Sequence, residues 1–225
     1  YPNPPDTVYT VKYVDDSLKE DLSPAFYLTP PIDDALENVI YINPLHIDGG
    51  LYTTLAHEGF PGHLYQTTYT NEAGLSLIRN LLSYSGYTEG WATYVEYDTY
   101  KRVAAKDQPL AKLSMLESQF SLALCAYIDM GVNYEGWTKQ DVQEYLEGIG
   151  IGDAETTEFV FYTVVQEPAN YLSYFIGYLE FEKLRAQAQE TLGEKFSVKE
   201  FHDFILTTGP APFDIIEEEM KAWME

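Results

Sequence analysis

The chain has 225 residues, with 36 acidic against 13 basic side chains and a formal net charge of −23. A surface of this charge repels phosphate groups, which argues against nucleic acid or an anionic membrane as a partner. The single cysteine excludes an internal disulfide framework, and no apolar run is long enough to form a membrane-spanning segment.

The first six residues, Tyr-Pro-Asn-Pro-Pro-Asp, are rich in proline and are predicted to be a linker. Residues 7–225 are long enough for one sizeable core and are predicted to form a single domain. The chain begins without an initiator methionine, so either it was processed or it is the C-terminal part of a longer protein, and we expect the second. Acidity and the single cysteine slightly favour an extracytoplasmic location over a cytoplasmic one.

Three short segments carry the β-branched and aromatic residues typical of strands, at 7–14, 26–29 and 38–43. The second and third end at prolines, which fits strand boundaries. Their closeness in the chain predicts a small antiparallel sheet near the N-terminus. His46 follows in a loop, where a capping or surface role is expected.

Strand signals nearly vanish from Leu51 onward. Helices are predicted at 51–70, entered from Asp48-Gly49-Gly50, and then at 86–105, 109–131, 138–148, 153–165, 168–192, 198–207 and from Pro212 to the end. Thr138–Asp141 and Ser197–Glu200 have the spacing of capping boxes. Cys125 lies in the apolar run 109–131 and is expected to be a buried core thiol. The predicted fold class is mainly α with a small antiparallel β-sheet.

The first predicted helix carries two histidines and a glutamate within seven residues, His57, Glu58 and His63. Neutral imidazole is a favoured zinc ligand, and a neighbouring glutamate can act as general base. The histidines are six apart, so a continuous α-helix would point them to different sides. Pro61 and Gly62 predict a break that brings them together. The alternative is that both histidines cap a helix end and fill a polar pocket.

A third ligand is predicted on the next helix. Glu89 and Glu96 are seven residues apart and share a helical face, with Thr93 between them and aromatic and small residues around them. We assign Glu89 as the ligand and Glu96 as the carboxylate that orients a ligand histidine. The alternative is an acidic face of an exposed helix; if Glu89 is not a ligand, Glu96 is the first substitute.

The segments His57–Gln66 and Glu89-Gly90-Trp91-Ala92-x-Tyr94-x-Glu96 resemble the hallmarks of a bacterial family catalogued as domain of unknown function 885 (DUF885). The resemblance continues through Gly136-Trp137-Thr138, Pro168, Leu172–Gly177 and Phe201-His202-Asp203 and covers nearly all of the chain. It implies a zincin-like, glutamate-ligated (gluzincin-like) helical catalytic domain with an HExxPGH motif. It also implies a helical N-terminal part upstream, as the partner of this segment in a longer protein.

The resemblance suggests further site residues. Tyr174 matches a family position from which a phenol could stabilise an oxyanion, although a core tyrosine is an equal alternative. Gln66, Thr93 and His202 are candidates for supporting the ligands, with packing or hydrogen bonding expected of His202. The chain departs from the family at Asn133, in place of a frequent histidine, at Ala169-Asn170, in place of Gly-Gln, and at Phe175, in place of a usual lysine. These departures concern substrate preference, and the metal ligands are intact.

The expected function is that of a zinc-dependent peptidase, in which His57, His63 and Glu89 hold Zn²⁺ and Glu58 is the base. The substrate would be a peptide or a small amide. One alternative is a zinc hydrolase of a non-peptide amide or ester, since the same groups serve any polarised carbonyl. Another is a binding or structural module that retains the fold without turnover; the intact Glu58 argues against it.

Overall fold

The polypeptide forms three strands and then ten helices within the ranges that the computed structural model describes, which are residues 1–31, 33–47, 51–102 and 107–225. The strands are β1 Tyr9–Tyr13, β2 Ala25–Leu28 and β3 Asn38–Ile42. The helices are α1 Leu51–Glu58, α2 His63–Glu72, α3 Leu77–Leu81, α4 Ser85–Tyr100, α5 Gln108–Asn133, α6 Lys139–Gly148, α7 Ala154–Gln166, α8 Asn170–Leu192, α9 Val198–Thr208 and α10 Phe213–Trp223. The mainly helical fold with a small sheet is thus confirmed.

The sheet is mixed, so the expectation of an antiparallel sheet was wrong. β3 lies in the middle, antiparallel to β2 and parallel to β1. The chain reverses direction between β1 and β2 and again between β2 and β3, which leaves β1 and β3 pointing the same way. Because β3 inserts between the other two strands, its pairing with β1 is parallel; a simple meander would have kept every pair antiparallel. This order leaves β2 at an edge of the sheet, next to α1.

The predicted break in the first helix is confirmed. α1 ends at Glu58 and α2 begins at His63, and the Phe60–Pro61 peptide bond between them is cis. A side chain at Gly62 would place its Cβ 1.7 Å from the carbonyl oxygen of His57, so only glycine fits there. The proposed entry at residues 48–50 lies outside the described residues.

Other boundaries differ from the predictions in places. α3 was not predicted, because its five residues are too short for a clear helical periodicity. α4 ends at Tyr100 rather than running to 105; residues 103–106 lie outside the described ranges. The capping box at Thr138 and Asp141 is present in full, and Ser197 accepts a hydrogen bond from the backbone N–H of Glu200.

The main core forms where α4 packs on α8. A Cβ on Gly90 would lie 2.4 Å from the carbonyl carbon of Gly177, so the two backbones touch. Around this contact lie the large buried side chains of the core, among them Trp91, Tyr87, Tyr94, Phe181 and Phe201. The close approach brings the N-terminal parts of α4 and α8 together, and these parts carry Glu89 and Tyr174.

A second apolar cluster joins α5, α6 and α7 around Ile128, Leu146 and Val164. Cys125 packs at its margin and is half-buried rather than fully buried, because it lies on the side of α5 that the neighbouring helices only partly cover. Tyr1 and Pro2, in the predicted linker, lie against the main core: Tyr1 stacks on His202, and the Tyr65 hydroxyl donates to the carbonyl of Pro2. None of the described helices combines the length and apolar character needed to cross a membrane.

Candidate metal centre

Three side chains that can hold a metal meet where α1, α2 and α4 come together. His57 comes from the last turn of α1, His63 from the start of α2 and Glu89 from the N-terminal part of α4. One ligand atom from each lies within 4.8 Å of the others. Oε2 of Glu89 is 3.4 Å from Nε2 of His63 and 3.7 Å from Nε2 of His57. Ligands about 2 Å from a tetrahedral metal are separated by similar distances.

The donor set fits a divalent cation. Oε2 of Glu89 is buried and has no hydrogen-bond partner among the described residues, although two imidazoles face it. Burial opposes charge on these groups, yet their mutual contacts raise the pKa of His57 and lower the pKa of Glu89. The carboxylates around His57 therefore favour positive charge in this part of the site, and two nitrogens with one carboxylate are ligands typical of zinc.

Glu96 holds the His57 ring from its other nitrogen. Nδ1 of His57 lies 3.0 Å from Oε2 of Glu96, two turns along α4 from Glu89. This hydrogen bond leaves Nε2 of His57 directed at Glu89. A carboxylate in this position fixes the tautomer and orientation of a ligand imidazole.

Glu58 follows His57 directly and points to the opposite wall of the site. Its Oε2 accepts a hydrogen bond of 2.8 Å from the backbone N–H of Tyr27, on β2. Burial raises the pKa of Glu58, and the two nearby imidazoles and the N–H of Tyr27 partly offset that shift. A carboxylate with a raised pKa is better suited to accept a proton than an ordinary surface glutamate.

Tyr174 closes the site from the first part of α8. Its ring lies nearly parallel to that of His57, with 6.1 Å between centroids. Burial, followed by the charges of Glu89 and Glu58, raises the pKa of its phenol. The hydroxyl is therefore protonated at neutral pH and available as a hydrogen-bond donor.

These groups line a cavity of about 470 Å³, which we call the metal cavity. Its walls come from β2 and the segments next to it, from α1 and α2, and from α4 and the start of α8. The lining residues are Ser23, Pro24, Ala25, Phe26, Tyr27, Thr29, Thr54, His57, Glu58, His63, Thr67, Thr88, Glu89, Glu96 and Tyr174. Tyr27 reaches Glu58 through its backbone alone, so no side-chain pattern in the sequence could have assigned it to the site.

The other three candidate residues lie outside the metal cavity. Thr93 is buried on α4, and its hydroxyl has no partner among the described residues. Gln66 is buried on α2 and lines a neighbouring cavity. His202 is buried in the main core, where it forms a 2.9 Å hydrogen bond with the Tyr94 hydroxyl and packs edge-to-face on Trp91. Burial lowers the pKa of His202 to about 3.

The departures from the family pattern also lie away from the metal cavity. Asn133 donates hydrogen bonds to Asp129 and to the carbonyl of Val164, so it links α5 to α7. Ala169 has a φ of 65°, a left-handed conformation that favours glycine, and its N–H donates to Asp129. Phe175 lies on α8 with its ring 6.4 Å from that of Tyr178.

Solved structures that are similar to the chain include two whose alignments cover nearly all of it. A protein from Colwellia psychrerythraea is 28% identical with a TM-score of 0.82; the alignment covers 99% of this chain and 39% of that protein. A protein of unknown function from Shewanella oneidensis is 23% identical with a TM-score of 0.71, covering 95% of this chain and 40% of that protein. Both are described as putative lipoproteins. The chain therefore spans about two fifths of the length of either structure.

None of the curated proteins compared with the chain matches it. The sequence pattern of a family described as "Bacterial protein of unknown function (DUF885)" matches residues 1–220, which is nearly the whole chain. The chain belongs to this bacterial family, DUF885.

Proposed function

We propose that the protein is a zinc-dependent peptidase of the zincin type. The observation that carries the proposal is the meeting of His57, His63 and Glu89 at one end of a cavity, with Glu58 on the facing wall. The sequence separates these ligands by a helix break and by a change of helix, so their convergence is a property of the fold. Such an arrangement is hard to explain as helix capping or as a solvated acidic face.

Each residue would have a distinct role. His57, His63 and Glu89 would hold zinc, which when bound activates a water and polarises the substrate carbonyl. Glu58 would accept the proton of the attacking water and transfer it to the leaving amine. Tyr174 would donate a hydrogen bond to the oxygen on which negative charge develops. Glu96 would keep the imidazole of His57 in the orientation that zinc requires.

The edge strand favours a peptide over a small amide or ester. β2 pairs with β3 on one side only, and the N–H of Tyr27 faces Glu58 on the other side. Backbone groups alternate along an antiparallel strand, so those of Ala25 face the metal cavity as well. An extended peptide can add to such an edge by main-chain hydrogen bonds, which a small ester cannot do. A module without turnover would have no need of the buried base Glu58.

The wider context extends the proposal. Because the Colwellia protein is described as a putative lipoprotein, we propose an extracytoplasmic location for this chain by similarity.

Glu58→Gln tests the proposal, with zinc content measured by atomic spectroscopy and hydrolysis measured on a mixed peptide library. We expect the unmodified protein to bind about one zinc per chain and to hydrolyse peptides in a chelator-sensitive way. Glu58→Gln should retain zinc and lose activity by about 10²- to 10⁴-fold, because an amide cannot accept the proton. Glu218→Gln, at an exposed position on α10, is the matched control. Hydrolysis by Glu58→Gln at the rate of the unmodified protein would contradict the zincin mechanism.

A further inference from the structure

A second cavity of about 360 Å³ adjoins the metal cavity. We call it the side cavity. Thr29, Thr67 and Thr88 line both cavities. Thr88 directly precedes the ligand Glu89, and Thr67 lies one helical turn after the ligand His63. A substrate with its reacting bond at the metal centre would therefore extend into the side cavity.

The side cavity differs from its surroundings in charge. Its lining residues are Thr29, Pro30, Pro31, Ala35, Gln66, Thr67, Thr70, Asn71, Arg79, Leu81, Leu82, Ser83, Tyr84, Thr88 and Pro210. Although the chain has 36 acidic residues, none of these described lining residues is acidic. Arg79 is the one charged residue among them. The metal cavity, by contrast, is lined by three glutamates.

Arg79 has N–H groups that are not used in hydrogen bonds to the described residues. One of its amino groups donates to the carbonyl of Pro210 at 2.8 Å. Within the described ranges no carboxylate forms an ion pair with it, whereas Arg102 pairs with Asp98 at 2.7 Å. A guanidinium has five N–H donors in a planar fork and binds carboxylates in a bidentate manner.

Two further donors in the side cavity lack acceptors. The amide nitrogen of Gln66 and the hydroxyl of Thr70 are buried, and neither has a hydrogen-bond partner among the described residues. Buried polar atoms are normally hydrogen-bonded. Both residues line the same cavity as Arg79, so unsatisfied polar groups and a guanidinium without an ion pair occur together there.

We propose that the side cavity is a substrate subsite for a carboxylate, with Arg79 as the residue that binds it. The inference rests on the proposed peptidase function. It narrows the substrate class to peptides that carry a carboxylate near the bond to be cut. That carboxylate is either the free C-terminus of the peptide, which makes the enzyme a carboxypeptidase, or the side chain of an aspartate or glutamate.

Calorimetric titration of the zinc-loaded Glu58→Gln protein with two pairs of peptides tests the subsite. The first pair is acetyl-trialanine with a free C-terminus and the same peptide as its C-terminal amide. The second pair is acetyl-Ala-Glu-Ala-amide and acetyl-Ala-Gln-Ala-amide. We expect the acidic member of one pair to bind at least about tenfold more tightly, and the pair that shows the preference identifies the source of the carboxylate. The absence of a preference in both pairs would overturn the proposal.

Arg79→Gln in the same protein separates binding at Arg79 from binding of the carboxylate to zinc itself. We expect the acid preference to vanish in Arg79→Gln, to persist in part in Arg79→Lys and to be unchanged in Lys112→Gln, an exposed charge-matched control on α5. A preference that survives Arg79→Gln would assign the carboxylate to the metal and contradict the proposal.

Because Arg79 also bonds to Pro210, a second variant leaves that bond in place. Ser83→Asp adds a carboxylate to the side cavity at an exposed position and should reduce the acid preference by pairing with Arg79. An unchanged preference in Ser83→Asp would count against Arg79 as the binding group. Failure of the peptidase proposal would give a different result. The protein would then lack bound zinc or would not hydrolyse peptides, while its preference for acidic peptides remained.

Discussion

Glu89 and Glu96 contact the same imidazole through different nitrogens. Glu89 lies 3.7 Å from Nε2 of His57, and Glu96 lies 3.0 Å from Nδ1. Nε2 is the nitrogen that faces Glu89, and the same carboxylate oxygen lies 3.4 Å from Nε2 of His63. We therefore expect the two carboxylates to have separate roles, although they share one face of α4.

Replacing each carboxylate by alanine distinguishes these roles. Glu89→Ala should abolish stoichiometric zinc binding, because it removes one of three ligands. Glu96→Ala should retain one zinc per chain with an affinity about 10- to 100-fold lower, because it removes only the group that orients His57. Competition with a chromophoric chelator measures both affinities. If Glu89→Ala kept full affinity and Glu96→Ala lost it, Glu96 would be the ligand in its place.

Among the elements, α4 and α8 carry two of the candidate site residues and pack closely on each other. Glu89 immediately precedes Gly90, and Tyr174 precedes Gly177 by about one turn. The two glycines bring the helix backbones into contact, as described for the core. The distance between the carboxylate of Glu89 and the phenol of Tyr174 therefore depends on two glycines.

Gly177→Ala should loosen this contact. Its Cβ would lie 2.1 Å from the carbonyl oxygen of Gly86, so the helices must separate. We expect a loss of about 1–3 kcal/mol in the free energy of unfolding, measured by denaturant titration, together with weaker zinc binding. Gly148→Ala is the control, since its new methyl group would meet open space at the end of α6. Equal stability of the two variants would show that the close helix contact is not required.

At the scale of the whole molecule, acid acts on this protein in two opposing ways. Protonation of carboxylates relieves the self-repulsion of a chain with a net charge of −23. Acid also favours protonation of His202, whose buried neutral imidazole lies between Trp91, Tyr94 and Tyr1 in the main core. The stability of the fold in mild acid depends on the balance of these effects.

The contribution of His202 has a definite sign. Burial lowers its pKa from 6.5 to about 3 in the folded protein. As the pH falls from about 6.5 towards 3, the unfolded chain takes up a proton at this position and the folded protein does not, so the free energy of unfolding decreases. This group changes the free energy of unfolding by at most about 1.4 kcal/mol per pH unit.

His202→Gln should remove this contribution to the pH dependence of the free energy of unfolding. Denaturant titrations of both proteins between pH 7 and pH 5 measure it, and the variant should lose less stability across this range. His46→Gln, on the turn before α1, is the matched control. A His202→Gln slope equal to that of the unmodified protein would mean that the imidazole is not held neutral by the core.

Local patterns in the sequence determined much of this protein. The strand positions, most helix bounds and the capping box at Thr138 depend on neighbours within a few residues, so they are visible in the sequence. The same holds for the break between His57 and His63, because Pro61 and Gly62 act on the backbone where they stand. The proposed ligands could be chosen from residue type and spacing for this reason.

The tertiary structure alone decided what depends on residues distant in the chain. The parallel pairing of β1 with β3 follows from the order of strands in the sheet, which no segment encodes by itself. The contact of Tyr27 with Glu58 is made by a backbone N–H, a group that every residue except proline possesses. Arg79 lies on a helix too short to show periodicity, and its place in the side cavity is set by the packing of α3 near the loop at Pro210. Short-range preferences fix where elements begin and end, whereas the contacts that build a site are settled by which faces are buried together.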